Sequence, residues 1–127
     1  MKIYIGHSRD FNYKKELYEP IRNSDRLREF EVILPHDNGA IGQHSREFYN
    51  DIDLFIAEVS YPSIGLGIEL GWANDSNVPI ICISRKGNKI SSSLKTVSDN
   101  FLKYESADEL VDKIYTAIGA LIVGQGS

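Results

Sequence analysis

Apolar and polar positions follow one another along this chain in blocks whose period switches between that of a strand and that of a helix. Residues 54–59, Leu-Phe-Ile-Ala-Glu-Val, are apolar at five of six positions, as in a strand buried on both faces. Tyr61-Pro62 ends that run, because proline cannot donate to a ladder and keeps the preceding residue out of the helical region. Ser63 then stands as an N-cap, and residues 64–74 carry apolar side chains at helical spacing. Residues 1–5 and 78–84 are further apolar runs, 31–35 and 100–104 shorter ones, and all four suit strands. Tyr13, Leu17 and Ile21 fall at i, i+4 and i+8 and predict an amphipathic helix from about residue 12, with Pro20 inside it to kink or divide it. Residues 45–51 predict a short helix, and residues 94–97 a helical turn. Ser106-Ala-Asp-Glu109 is a capping box in front of Leu110, Val111, Ile114, Ile118 and Leu121, the buried stripe of a last helix.

Strands alternating with helices at this spacing imply βαβ units. Right-handed crossovers then predict a single domain over residues 1–123: a flavodoxin-like, Rossmann-type doubly wound α/β fold with a five-stranded parallel sheet. Its strands are expected to carry Tyr4, Ile33, Phe55, Ile81 and Phe101, and residues 124–127 to form a disordered tail. Sites in such sheets lie outside the C-terminal ends of the strands. That edge collects four segments: residues 7–10, 36–44, 60–69 and 85–93. The second of these, with its two glycines and no periodicity, reads as a loop over the edge of the sheet.

The third segment carries the sharpest chemistry. Gly65 and Gly67 sit near the start of the predicted helix, where each costs about 1 kcal/mol relative to alanine. Close approach of a ligand or another backbone would explain them. Glu69 lies about one turn further on, where the positive end of the helix dipole favours an anion. An oriented carboxylate at this edge suits a nucleophile; a plain complement to the dipole is the simpler role. A dinucleotide fingerprint fits badly. Gly65-Leu-Gly-Ile-Glu-Leu-Gly71 is one residue too long, follows a central strand, and places a glutamate where pyrophosphate would sit.

Composition narrows the partners. With 127 residues, 42% hydrophobic and 25% charged, the chain is long enough for one ordinary core. Its formal charge of -4 and lack of a basic stripe argue against a nucleic-acid polymer. The lone cysteine, Cys82, lies in an apolar strand and reads as a buried, reduced thiol. No His/Cys cluster has metal-ligand spacing, no signal peptide opens the chain, and residues 117–123 are too short for a membrane span. The expectation is a cytoplasmic protein without metal or cofactor.

The segment from Asp53 to Ala73, and within it Pro62-Ser-Ile-Gly-Leu-Gly-Ile-Glu-Leu-Gly71, resembles the signature of the nucleoside 2-deoxyribosyltransferase family. It is most similar to the branch of 2'-deoxynucleoside 5'-monophosphate N-glycosidases. Lys2-Ile-Tyr-Ile-Gly6 and Pro79-Ile-Ile-Cys-Ile83 resemble the family as well, so the likeness covers most of the chain. The resemblance implies that Glu69 attacks C1' of the sugar and releases the base, and that water or a second base resolves the glycosyl-enzyme. It implies that Tyr4 lies near the nucleophile and that Ser63 contacts a 5'-phosphate, alone or besides capping its helix. It also implies that Gly6, His7, Ser8 and Arg9, in the loop expected after the first strand, bind sugar or phosphate. Ser91 matches a serine that reaches the phosphate from a neighbouring subunit, which implies at least a homodimer. His36 or His44 is the candidate to face the base.

The chain departs from the family at one position. Where the family has an acid/base aspartate before the Glu-bearing strand, counting back from Glu69 meets Ser45. Glu47 or Asp37 is the available substitute. Loss of a general acid costs about 10²–10⁴-fold in rate. Two rival readings follow. One is a nucleotide-sensing module that binds without turnover. The other is a TIR-like NAD-cleaving domain, whose openings Ile5-Gly-His-Ser-Arg-Asp10 resembles. Free base released from nucleosides, monophosphates or NAD separates the three.

Overall fold

A computed structural model describes residues 1–36 and 46–125. Five parallel strands form one sheet in the order β2-β1-β3-β4-β5. They are β1 (Lys2–His7), β2 (Glu31–Ile33), β3 (Leu54–Glu58), β4 (Ile80–Arg85) and β5 (Asn100–Tyr104). The order reverses at β1, between β2 and β3, as in doubly wound sheets that bind ligands at such a switch point. Every residue of β3 is buried, which suits a run paired to β1 on one side and β4 on the other. Tyr4, Ile33, Phe55, Ile81 and Phe101 all lie in strands, as expected.

Alternation within the strands sends side chains to two cores. Ile3, Ile5, Leu54, Ile56 and Ile83 pack under α1 (Glu19–Arg22), the π-helical turn Lys14–Tyr18 before it, and α3 (Ala107–Gln125). Tyr4, Phe55, Ala57 and Cys82 pack under α2 (Ile64–Asp75) and the 3₁₀ turn Arg46–Asp51. Fully burying each such aliphatic or aromatic side chain contributes about 1.5–3 kcal/mol. In α3 the capping box forms: Glu109 donates its N–H to Ser106 Oγ at 3.2 Å, and Glu105 donates to Glu109 Oε2 at 2.8 Å.

Among the boundaries that differ from the sequence reading, three have a clear local reason. Gly6 and His7, expected in a loop, continue β1 in register with Ala57 and Glu58. A Cβ at Gly6 would meet the Phe55 ring at 2.5 Å and Leu66 at 2.9 Å, so only glycine lets the strand pass there. Val78 is not in β4, because its N–H closes the end of α2 on Ala73 O at 3.0 Å. Asn77, at φ 61°, makes that left-handed exit. At the other end α3 runs to Gln125, so Gly124 and Gln125 are helical and not tail. Residues 126 and 127 lie outside the described residues. Among those described, no helix is long and apolar enough to cross a membrane.

Candidate active site

The C-terminal edge of β1 and β3 opens into a cleft of about 600 Å³ between the chain after β2 and the first two turns of α2. Ser63 begins that helix. Its backbone is extended (φ -153°, ψ 125°), and its Oγ accepts the N–H of Leu66 at 3.2 Å. The turn before it is pinned from below by Glu58, which has no exposed surface. Glu58 accepts bonds from Ser60 N at 2.7 Å, Ser60 Oγ at 2.9 Å and the Tyr104 hydroxyl. Ser60 Oγ in turn accepts Arg85 N at 2.8 Å, and Asn88 donates to Ser60 O at 3.0 Å. Burial raises the Glu58 pKa, against the pull of those donors and of Arg85. One buried carboxyl thus ties β3, β4 and β5 to the start of α2.

Glu69 is the sixth residue of α2 and so lies in its second turn. The dipole effect falls off within the first turn, which weakens the dipole as its whole reason for being there. Two phenols hold its side chain. Tyr4, from β1, donates to Oε1, and Tyr49, from the turn Arg46–Asp51, donates to the same oxygen at 2.7 Å. Among the described residues Oε2 takes no hydrogen bond, and Glu69 lines the cleft. Burial first, and the charge of Glu69 second, push both phenol pKa values up, so both hydroxyls remain donors.

His7, Arg9, His36, Ser63 and Gly65 line the same cleft. His7 is a wall of it with no nitrogen to spare. Nδ1 lies 2.7 Å from Ser8 O and must donate to that carbonyl. Tyr18 accepts the His36 N–H at 3.0 Å and places its hydroxyl 2.6 Å from His7 Nε2. With the ring neutral, Nε2 accepts the Tyr18 proton. Burial, with the charges of His36 and Arg9 adding to it, lowers the His7 pKa from 6.5 to about 4 despite the Ser8 carbonyl. Between those pH values the unfolded chain binds a proton that the folded one rejects, so stability rises with pH through the window. About 3 kcal/mol should be lost from pH 7 to below pH 4 on this account. Denaturant titrations of His7→Gln should show a flatter fall than the native protein. Glu58, with its raised pKa, acts in the opposite sense in both and cancels from the comparison; equal slopes would clear His7 of the effect.

Other expected residues fall elsewhere. Gly6 is under the Phe55 ring instead of in the cleft. Ser8 is buried, and its Oγ accepts Asp10 N at 3.0 Å. Gly67 and Ser91 line a second groove, of about 390 Å³, on the far side of Ser63. Ser91 there caps the 3₁₀ turn Ser92–Thr96. Glu47 is exposed and does not line the Glu69 cleft. Asp37, His44 and Ser45 lie outside the described residues. The sequence reading missed Tyr49 and Glu58. An aromatic residue one turn from the missing acid, and a lone charge inside a buried run, were the available signals. Among the described residues no group of three or more His, Cys, Asp or Glu is arranged to hold a metal.

No family model matches the chain. It is 31% identical over 91 residues to a candidate 2'-deoxynucleoside 5'-phosphate N-hydrolase of Syntrophotalea carbinolica, covering 69% of this chain and 64% of that protein. It is 30% identical to the human 5-hydroxymethyl-dUMP N-hydrolase over 114 residues, covering 76% of this chain and 64% of the relative. The chain thus spans somewhat less than two thirds of the length of these two relatives. Among solved structures, a CMP N-glycosidase of Clostridium botulinum superposes with a TM-score of 0.64 at 24% identity, over 90% of this chain and 98% of that one. At that identity the likeness speaks to the fold.

Proposed function

We propose that this chain, which belongs to the nucleoside 2-deoxyribosyltransferase-like family that includes the 2'-deoxynucleoside 5'-phosphate N-hydrolases, breaks the N-glycosidic bond of a small nucleoside 5'-monophosphate with Glu69 as nucleophile. One observation carries the reading: Glu69 lines the cleft with Oε1 held by Tyr4 and Tyr49, while Oε2 takes no hydrogen bond among the described residues. A carboxylate with one oxygen fixed and one open is prepared for in-line attack on C1'. The relatives are named for monophosphate substrates, and the features around Glu69 suit a phosphate. The free N–H groups at the start of α2 lie beside Ser63 and Gly65, with Arg9 exposed at the rim. Water is the acceptor in this reading; a second base in its place would give exchange. The test is incubation with a panel of nucleosides, 5'-monophosphates and NAD, watching for free base. Release from a monophosphate is expected, and NAD alone as substrate would favour the rival domain. Binding without release would favour the sensing module. A cytoplasmic location fits the buried free thiol of Cys82.

The same reading includes a homodimer. Ile64 and Ile68, one turn apart on α2, are 87% and 50% exposed. A Cβ at Gly67 or Gly71 would meet nothing within 4 Å. That stripe is small and apolar and adjoins the groove holding Ser91. A second copy seated on it would bring its Ser91 toward this copy's Ser63. Light scattering at micromolar concentration should give twice the chain mass, and a monomer would remove Ser91 from the site.

A further inference from the structure

We infer that Tyr49 is a second positioning residue for Glu69, one that makes Oε2 the attacking atom and stabilises the carboxylate when it departs from the sugar. The inference rests on the glycosidase reading and goes beyond it, since nothing in the signature around Glu69 points to residue 49. Tyr49 has no exposed surface. Its ring is stacked on Phe55 at 6.1 Å and 20°, and meets Tyr4 edge-on at 5.6 Å and Phe48 at 5.2 Å. Such a ring cannot swing, so its hydroxyl is aimed at one place. That place is Oε1, at 2.7 Å. Tyr4 reaches the same oxygen from β1, across the cleft floor.

Two donors on one oxygen have a directional consequence. In the first step the Oε2–C1' bond forms as C1'–N breaks, and the bonding pair leaves with the base. Oε1 is then the carbonyl oxygen of a glycosyl ester, still facing both phenols. In the second step water adds to C1' and Oε2 takes back its electron pair. One proton of that water stays on the sugar hydroxyl; the other balances the departed base. Charge returns to the carboxylate in this second step, and there two prearranged donors act on it. The loss of one should therefore fall on release of the sugar more than on release of the base.

Tyr49→Phe keeps the ring and removes the hydroxyl. A bond to a charged acceptor predicts a fall in kcat of roughly tenfold to a hundredfold. The fall in kcat/KM should be smaller, with a burst of base and a glycosyl-enzyme visible in the intact mass. A purely structural role predicts a lowered melting temperature with kcat and kcat/KM falling together and no burst, and that result would overturn the inference. The second arm needs no substrate. The carboxylate bands of Glu69, isolated as native minus Glu69→Gln infrared difference spectra, should shift in Tyr49→Phe. Unshifted bands would overturn the inference whatever the protein turns over. Shifted bands with no base released by the native protein would locate the failure in the glycosidase reading instead.

Discussion

Glu69→Gln should reduce base release by roughly 10³-fold or more while leaving the fold and ligand binding nearly intact. The amide oxygen still accepts from Tyr4 and Tyr49, so the floor of the cleft keeps its hydrogen bonds. What disappears is the charge that forms the bond to C1' and stabilises a developing oxocarbenium ion. Stability should change by less than about 1 kcal/mol, because a dipole contact is worth 0.3–1 kcal/mol in the first turn and Glu69 is in the second. If Glu69 served the helix alone, the pattern would reverse: a modest loss of melting temperature with unchanged release. Base release and thermal melting measured on the same preparation decide between them. Undiminished release would end the reading built on this residue.

Gly6→Ala is expected to be the most damaging small substitution in the sheet. The added methyl would lie 2.5 Å from the Phe55 ring and 2.9 Å from Leu66. Forcing one carbon into a packed core costs about 1–3 kcal/mol and occasionally more. In a domain of this size each kcal/mol moves the melting temperature by roughly 2–8 °C. The effect should reach the chemistry as well. Phe55 packs against Tyr4 at 5.0 Å and stacks on Tyr49, so displacing it moves both phenols that hold Glu69. Activity per folded molecule should fall along with stability. A Gly6→Ala protein that melts with the native one would mean that the ring yields freely, and would remove this explanation of the glycine.

The fold was legible because its causes are local. A continuous apolar run in residues 54–59, a proline stop, a serine cap and a 3.6-residue stripe after it are written within about twenty residues. Ser63 as cap, Glu69 on α2 and the capping box at Ser106 needed nothing beyond the geometry of one helix. Strand order was a weaker inference, from handedness rules alone, and the observed 2-1-3-4-5 arrangement is the simplest that satisfies them.

What only the tertiary structure decided is which distant side chains share a surface. Tyr49 and Glu69 are 20 positions apart and Glu58 and Tyr104 are 46 apart. No periodicity links either pair, because Tyr49 and Glu69 meet between a 3₁₀ turn and α2, and Glu58 and Tyr104 meet across β4 from β3 and β5. Gly6 makes the same point in reverse. Its place beside His7 suggested a loop that meets ligand, yet a ring from the adjacent strand is what requires it. The sequence by itself determined the main elements and the placing of Glu69 near the sheet edge, since propensity, capping and amphipathic period act along the chain. Only the packed sheet decided that two phenols would converge on that carboxylate, since convergence is a property of strand order and register.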